Sequence, residues 1–68
     1  MLSLRIESRK EGNELKSVAA GKYNREQVFY SSGNPKNIPQ DIKELMDAHA
    51  NYMLKNKIEN STMRVERD

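Results

Sequence analysis

Residues 37–56, NIPQDIKELMDAHANYMLKN, decide the fold, because they alone carry a strong helical period. At about 100° per residue, the large apolar side chains gather on one side of a helix and the charged ones gather opposite. The start of the helix is marked by Asn37 as a cap, Gln40 three residues later and Pro39 in the first turn. The apolar side comprises Ile38, Ile42, Leu45, Met46, His49 and Met53. The stretch therefore predicts one long amphipathic helix.

Three stretches before the helix predict β-strands. Residues 2–8 alternate apolar and polar side chains, as expected of a strand with one buried face. Residues 15–20 follow a polar turn around Gly12, and their imperfect alternation indicates a bulge or an early end, with a short helical turn over 16–20 as the alternative. Residues 27–31 hold three β-favouring side chains in a row. This run indicates a central strand, or an edge strand whose outer face meets a partner.

The predicted fold class is α+β, a three-stranded antiparallel meander followed by one long amphipathic helix. We assign residues 1–57 to this single domain and residues 58–68 to a polar C-terminal tail, with a short fourth strand as the alternative for the tail. A chain of 68 residues hides only about 60% of its unfolded surface on folding, so an oligomer would add needed core. The strand residues expected to meet the helix are Leu4, Ile6, Leu15, Val18 and either Val28 or Phe29.

The composition limits the class of protein. The chain has no cysteine, which excludes disulfides and thiolate metal sites and fits a cytoplasmic location. No apolar run approaches the roughly 18 residues that span a bilayer, and the N-terminal residues alternate instead of forming a signal-peptide core. We therefore expect a cytoplasmic protein that does not associate with membranes. The formal net charge of +2 is small for an obligate nucleic-acid binder.

No constellation of residues indicates an enzyme. His49 is the only histidine and lies on the apolar side of the predicted helix, where a packed histidine is expected more often than a ligand or a base. Gly33 precedes the helix, but its spacing matches no phosphate-binding motif. An acidic ridge on the helix is expected to face water and consists of Asp41, Glu44 and Asp47. We therefore predict no catalytic residue, no metal site and no cofactor.

The leading functional hypothesis is a small non-enzymatic protein-binding module. The apolar side of the helix is wider than a three-stranded sheet needs, and its methionines are adaptable contact groups. The surplus surface indicates a phage- or bacterial-type modulator or inhibitor of a partner protein, with a homodimer as one possible form. The predicted protein contacts are Tyr30, Tyr52, Met53 and Leu54.

The alternative hypothesis is a DNA-binding accessory domain. Residues 1–36 contain seven basic and four acidic side chains, whereas residues 37–68 contain five and six. A basic three-stranded sheet interleaved with aromatic side chains can hold a phosphate backbone, although the interspersed glutamates would repel it. The predicted nucleic-acid contacts are Arg5, Arg9, Lys10, Lys16 and Lys22.

Overall fold

A computed structural model describes the whole chain from Met1 to Asp68. The elements in chain order are β1 (Leu2–Glu11), β2 (Glu14–Tyr23), β3 (Glu26–Ser31), α1 (Gln40–Lys55) and β4 (Asn60–Arg67). A 3₁₀ turn, Pro35–Asn37, connects β3 to α1. The four strands form one antiparallel sheet in the order β3-β2-β1-β4, and α1 packs across one of its faces. The α+β class is thus confirmed.

The fourth strand corrects the three-stranded meander. Residues 60–67 form β4, which pairs with β1 over its whole length, and they occupy most of the segment that the sequence assigned to a polar tail. Met63 and Val65 are half-buried on the helix side, while Thr62 and Arg64 are exposed. Because α1 covers only one face of an edge strand, β4 needs only a few apolar residues. Its composition therefore resembles that of a tail.

The first hairpin is regular, with neither the bulge nor the helical turn expected in β2. Its register is unbroken from Leu2↔Tyr23 to Glu11↔Glu14, and the two loop residues begin with Gly12 at φ 63°. Glycine at the first loop position is typical of a type II′ hairpin turn. Leu15 and Val18 are an odd number of positions apart because Leu15 lies on the helix side and Val18 on the opposite face. Val18 is therefore outside the predicted core.

The second hairpin uses a two-residue turn in which Asn24 and Arg25 both have positive φ, 52° and 71°. Such a type I′ turn matches the twist of the flanking strands, and glycine is the residue it favours at the second position. Nearby, Gly21 has φ 147° in the middle of the sheet. A Cβ atom there would overlap the main-chain oxygen of Ser3 on the neighbouring strand. Only glycine permits this approach of β2 to β1.

The helix begins at Gln40, later than the predicted start at Asn37. Asn37 ends the 3₁₀ turn, and Pro39 occupies the position before the helix with an extended backbone, φ −58° and ψ 149°. The helix side of the sheet contributes Leu4, Ile6 and Ala19 to the core. The buried residues of α1 are Ile42, Met46, His49 and Met53. No helix has the length and apolar character that crossing a bilayer requires.

Candidate functional site

The sheet has one face without a covering element, which we call the open face. On β1, buried Leu4, Ile6 and Ser8 alternate with exposed side chains that point away from α1. Successive side chains of a strand point to opposite faces, so the cross-strand register assigns every other strand residue to one face or the other. The open face is therefore a continuous surface built from all four strands.

One row of side chains crosses all four strands of the open face. Phe29 pairs with Ala20, Ala20 with Arg5, and Arg5 with Arg64. Directly opposite residues on one face have Cβ atoms about 4.5–5.5 Å apart, so these four side chains are neighbours. Phe29 is 69% exposed, and Ala20 and the adjacent Val18 are half-buried. The row thus changes from apolar on β3 and β2 to cationic on β1 and β4.

Acidic and basic side chains alternate along β1 on the open face. Arg5 Nε lies 3.2 Å from Glu7 Oε1, Arg9 Nη2 lies 2.9 Å from Glu11 Oε1, and Lys16 Nζ lies 3.5 Å from Glu11 Oε2. The hydrogen bond from Arg9, assisted by Lys16, lowers the pKa of the exposed Glu11 carboxyl. The carboxylate therefore stays ionised and balances much of the local positive charge.

The structure brings four of the five predicted nucleic-acid contacts together. Arg5, Arg9, Lys16 and Lys22 share the open face, whereas Lys10 has the opposite parity on β1. Arg64 on β4 joins them, and neither Arg64 nor Lys22 forms an ion pair. Sequence reasoning missed Arg64 because its segment was assigned to the tail. The alternation of residues 62–66 was the available signal.

The four predicted protein contacts do not form one surface. Met53 is fully buried, and Tyr30 is half-buried against the core. Tyr52 and Leu54 are 55% and 62% exposed, but residues two apart on a helix project about 200° from each other. They therefore lie on opposite flanks of α1. Phe29, which sequence reasoning offered as an alternative core residue to Val28, is more exposed than either of them.

A buried polar cluster joins the helix to the sheet. Ser8 Oγ lies 2.6 Å from Ser17 Oγ and 3.0 Å from His49 Nδ1. Burial lowers the pKa of His49. No acidic side chain takes part in these hydrogen bonds, so nothing here orients or charges the imidazole as a catalytic triad does. The predicted packed histidine describes this arrangement better than a catalytic one.

A groove lies between α1 and the edge strand β4, with a volume of about 400 Å³. Its lining residues are Ala48, His49, Tyr52, Ser61, Thr62 and Met63. The Nε2 atom of His49 is buried and has no hydrogen-bond partner in the protein. The groove places Tyr52 on the flank of α1 that faces β4. It is thus an apolar depression beside the edge strand β4.

The remaining polar contacts are structural. The Tyr23 hydroxyl donates a 2.8 Å hydrogen bond to Asp41 Oδ2, which ties the end of β2 to the first turn of α1 and raises the pKa of Tyr23. No group of three or more acidic or histidine side chains is placed to hold a metal ion.

Protein-family models, curated proteins and solved structures provide no match to this chain.

Proposed function

We propose that this protein is a non-enzymatic binding module that docks on another protein through the open face of its sheet. In this role it is a phage- or bacterial-type modulator or inhibitor of its partner, and it works as a homodimer. The proposal rests on Phe29, a large apolar side chain that is 69% exposed on the edge strand β3 of a regular, uncovered surface.

One row of the open face contains residue types that are common in protein interfaces. Phe29 with Val18 and Ala20 forms an apolar patch, and Arg5 and Arg64 extend the same row. Aromatic side chains and arginine are enriched in interface centres, where a few residues supply most of the binding energy. Complete burial of a phenylalanine side chain is worth about 1.5–3 kcal/mol. A partner that covers Phe29 would gain this free energy, and Val18 and Ala20 would add apolar contacts beside the ring.

The charge pattern favours a protein over a polyanion. Glu7 and Glu11 alternate with Arg5 and Arg9 along β1 and are held in ion pairs. A phosphate backbone would meet these carboxylates at the same spacing as the cations, and like charges in close contact repel. A protein surface with its own mixture of charges can complement both signs.

Affinity capture with matched variants tests the docking surface. The tagged protein, Phe29→Ser and Leu54→Ser are each incubated with bacterial lysate, and captured proteins are quantified by mass spectrometry. Phe29 and Leu54 are similarly exposed, 69% and 62%, but Leu54 is on the helix. We expect a defined protein to be captured by the unchanged chain and by Leu54→Ser, and to be lost with Phe29→Ser. Loss with Leu54→Ser alone would move the contact to α1.

DNA binding is the second candidate, because Arg5, Arg9, Lys16, Lys22 and Arg64 share one face beside an exposed aromatic ring. It predicts duplex or single-strand affinity that falls steeply with salt, by about one power of salt concentration for each phosphate neutralised. Fluorescence anisotropy with labelled DNA at low salt measures it. Binding that is abolished by Lys22→Glu and unaffected by Lys10→Glu would support this candidate, and no binding at about 50 mM salt would exclude it.

A further inference from the structure

We propose that the free edge of β4 pairs with β4 of a second copy, antiparallel about a two-fold axis at Val65, to form a continuous eight-stranded sheet. The inference deepens the homodimer in the proposed function by naming its interface and register. It does not depend on which partner the open face binds.

The hydrogen bonds of β1 determine which backbone groups of β4 are free. Lys10 N–H donates to Glu59 O at 2.8 Å. In an antiparallel ladder, hydrogen-bonded and non-bonded pairs alternate, so the odd-numbered residues of β4 point their backbone groups toward β1. The N–H and C=O groups of Thr62, Arg64 and Glu66 therefore point outward from the sheet. They form a regular template for another strand.

The β4 edge lacks the features that commonly protect an edge strand. It is eight residues long and contains no proline, glycine or lysine. Its pairing with β1 continues without a bulge. The opposite edge, β3, has only six residues, and the 3₁₀ turn Pro35–Asn37 contacts it. Natural sheets protect exposed edges by shortening, covering or charging them. β4 carries charges at Arg64, Glu66 and Arg67, but it is neither short nor covered, so it is the edge available for pairing.

Charge complementarity selects the register. A two-fold axis at Arg64 would place two arginines side by side, and an axis at Met63 would pair Arg64 with Thr62. An axis at Val65 places Arg64 opposite Glu66 of the partner subunit, and the reverse pair forms by symmetry. Within one copy, Arg64 lies opposite Arg5, and neither Arg64 nor Glu66 forms an ion pair. The second copy therefore supplies an opposite charge to each.

The same register also brings apolar side chains together on the helix side. The axis brings Val65 against Val65 of the partner subunit and places Arg67 of the partner subunit opposite Met63, where the partner strand ends beside the groove between α1 and β4. Tyr52 lines that groove and is 55% exposed, while Met63 and Val65 are half-buried. Pairing thus covers apolar surface on one side of the sheet while it forms ion pairs on the other.

Charge-swap variants test both the interface and the register. The proteins are the unchanged chain, Arg64→Glu, Glu66→Arg, the double swap, and the control Glu44→Arg on the exposed side of α1. Their masses are measured by light scattering and sedimentation over a wide concentration range. We expect the unchanged chain and the control to dimerise, and each single swap to weaken the dimer about tenfold or more because two like-charge pairs arise. The double swap should restore it.

Mixing the two single swaps gives an independent test. One chain then carries two acids and the other carries two bases at positions 64 and 66, so the heterodimer should form at lower concentration than the homodimer of either variant. Circular dichroism should show both variants folded, since each exchange is at an exposed position and the carboxylate introduced by Arg64→Glu would lie opposite Arg5.

Different results would contradict the dimer, its register or the docking face. An unchanged chain that is monomeric at every concentration overturns the inference, as does a dimer that neither single swap weakens. Weakening without recovery in the mixture and the double swap overturns the register at Val65. A monomer that still captures a protein through Phe29 would refute the dimer and leave the docking face standing. A dimer whose Phe29→Ser variant captures the same protein would refute only the docking face.

Discussion

The Oγ atom of Ser8 lies 3.0 Å from Nδ1 of His49, so a strand hydroxyl holds the only histidine inside the core. His49 is 4% exposed, and burial lowers its pKa below the ordinary value of 6.5. The imidazole of His49 is therefore protonated at a higher pH in the unfolded chain than in the folded chain. Stability from the neutral imidazole is complete above about pH 6.5 and is lost as the pH falls further.

We accordingly expect the free energy of unfolding to decrease between about pH 7 and pH 5, with a slope of at most about 1.4 kcal/mol per pH unit. Urea titrations at several pH values measure it. His49→Gln is the control, because an amide has no proton to gain and its slope in this range should be nearly flat. Exposed Glu11, whose pKa is lowered from 4.5, titrates at more acidic pH. Equal slopes for both proteins would contradict the role given to His49.

Gly21 should be the least replaceable glycine. A Cβ atom there overlaps the main-chain oxygen of Ser3, and φ 147° is unfavourable for other residues, so β1 and β2 would have to separate. We expect Gly21→Ala to lower the free energy of unfolding by about 2 kcal/mol or more. Gly33→Ala is the matched control, because its Cβ meets only Ser31 Oγ at 3.6 Å, and should change stability by less than about 0.5 kcal/mol. Thermal and urea unfolding of the two variants compare them.

The elements that could be predicted from the sequence are those whose apolar residues recur at a regular spacing. Helix α1 was predictable because sixteen residues repeat one apolar stripe, and β1 because it is buried on one face only. In β3, Val28, Phe29 and Tyr30 are adjacent, so the local pattern cannot show whether the even-numbered or the odd-numbered residues face the helix. That choice follows from the pairing with β2, which puts Val28 opposite Gly21 on the helix side.

The open face needed the tertiary structure for the same reason. Arg64 is far from Arg5 in sequence, and only the β1–β4 register makes them neighbours. The edge strand itself was hard to recognise, because one-sided burial requires few apolar residues and its polar face looks like a tail. Local periodicity thus predicted elements whose apolar residues recur at a regular spacing, and failed where pairing between distant strands determines which face a residue occupies.

A substitution in the turn at Asn24 and Arg25 should stabilise the protein. Arg25 has φ 71°, a left-handed conformation that costs an L-residue about 1–2 kcal/mol relative to its preferred regions. Glycine adopts it freely, and Asn-Gly is the preferred pair in a type I′ turn. We expect Arg25→Gly to raise stability by about 1 kcal/mol, measured by urea unfolding.

Gly12 provides the converse control for this turn effect. It has φ 63°, and a Cβ atom built on it meets nothing within 4 Å, so only backbone conformation is tested. Gly12→Ala should lower stability by about 1 kcal/mol. If both variants changed stability in the same direction, turn conformation would not be the cause.

Phe29 and Val28 allow a last test, since they are adjacent on β3 and face opposite sides of the sheet. Val28 packs against the core on the helix side, whereas Phe29 is 69% exposed on the open face. Threonine is β-branched and suits a strand at either position. Val28→Thr should lower the free energy of unfolding by about 1 kcal/mol, because it introduces a hydroxyl beside the core, and Phe29→Thr should change it by less than about 0.5 kcal/mol. A large loss of stability with Phe29→Thr, measured by urea unfolding at low protein concentration, would mean that the ring is needed for folding and would remove the reason to regard it as a contact residue.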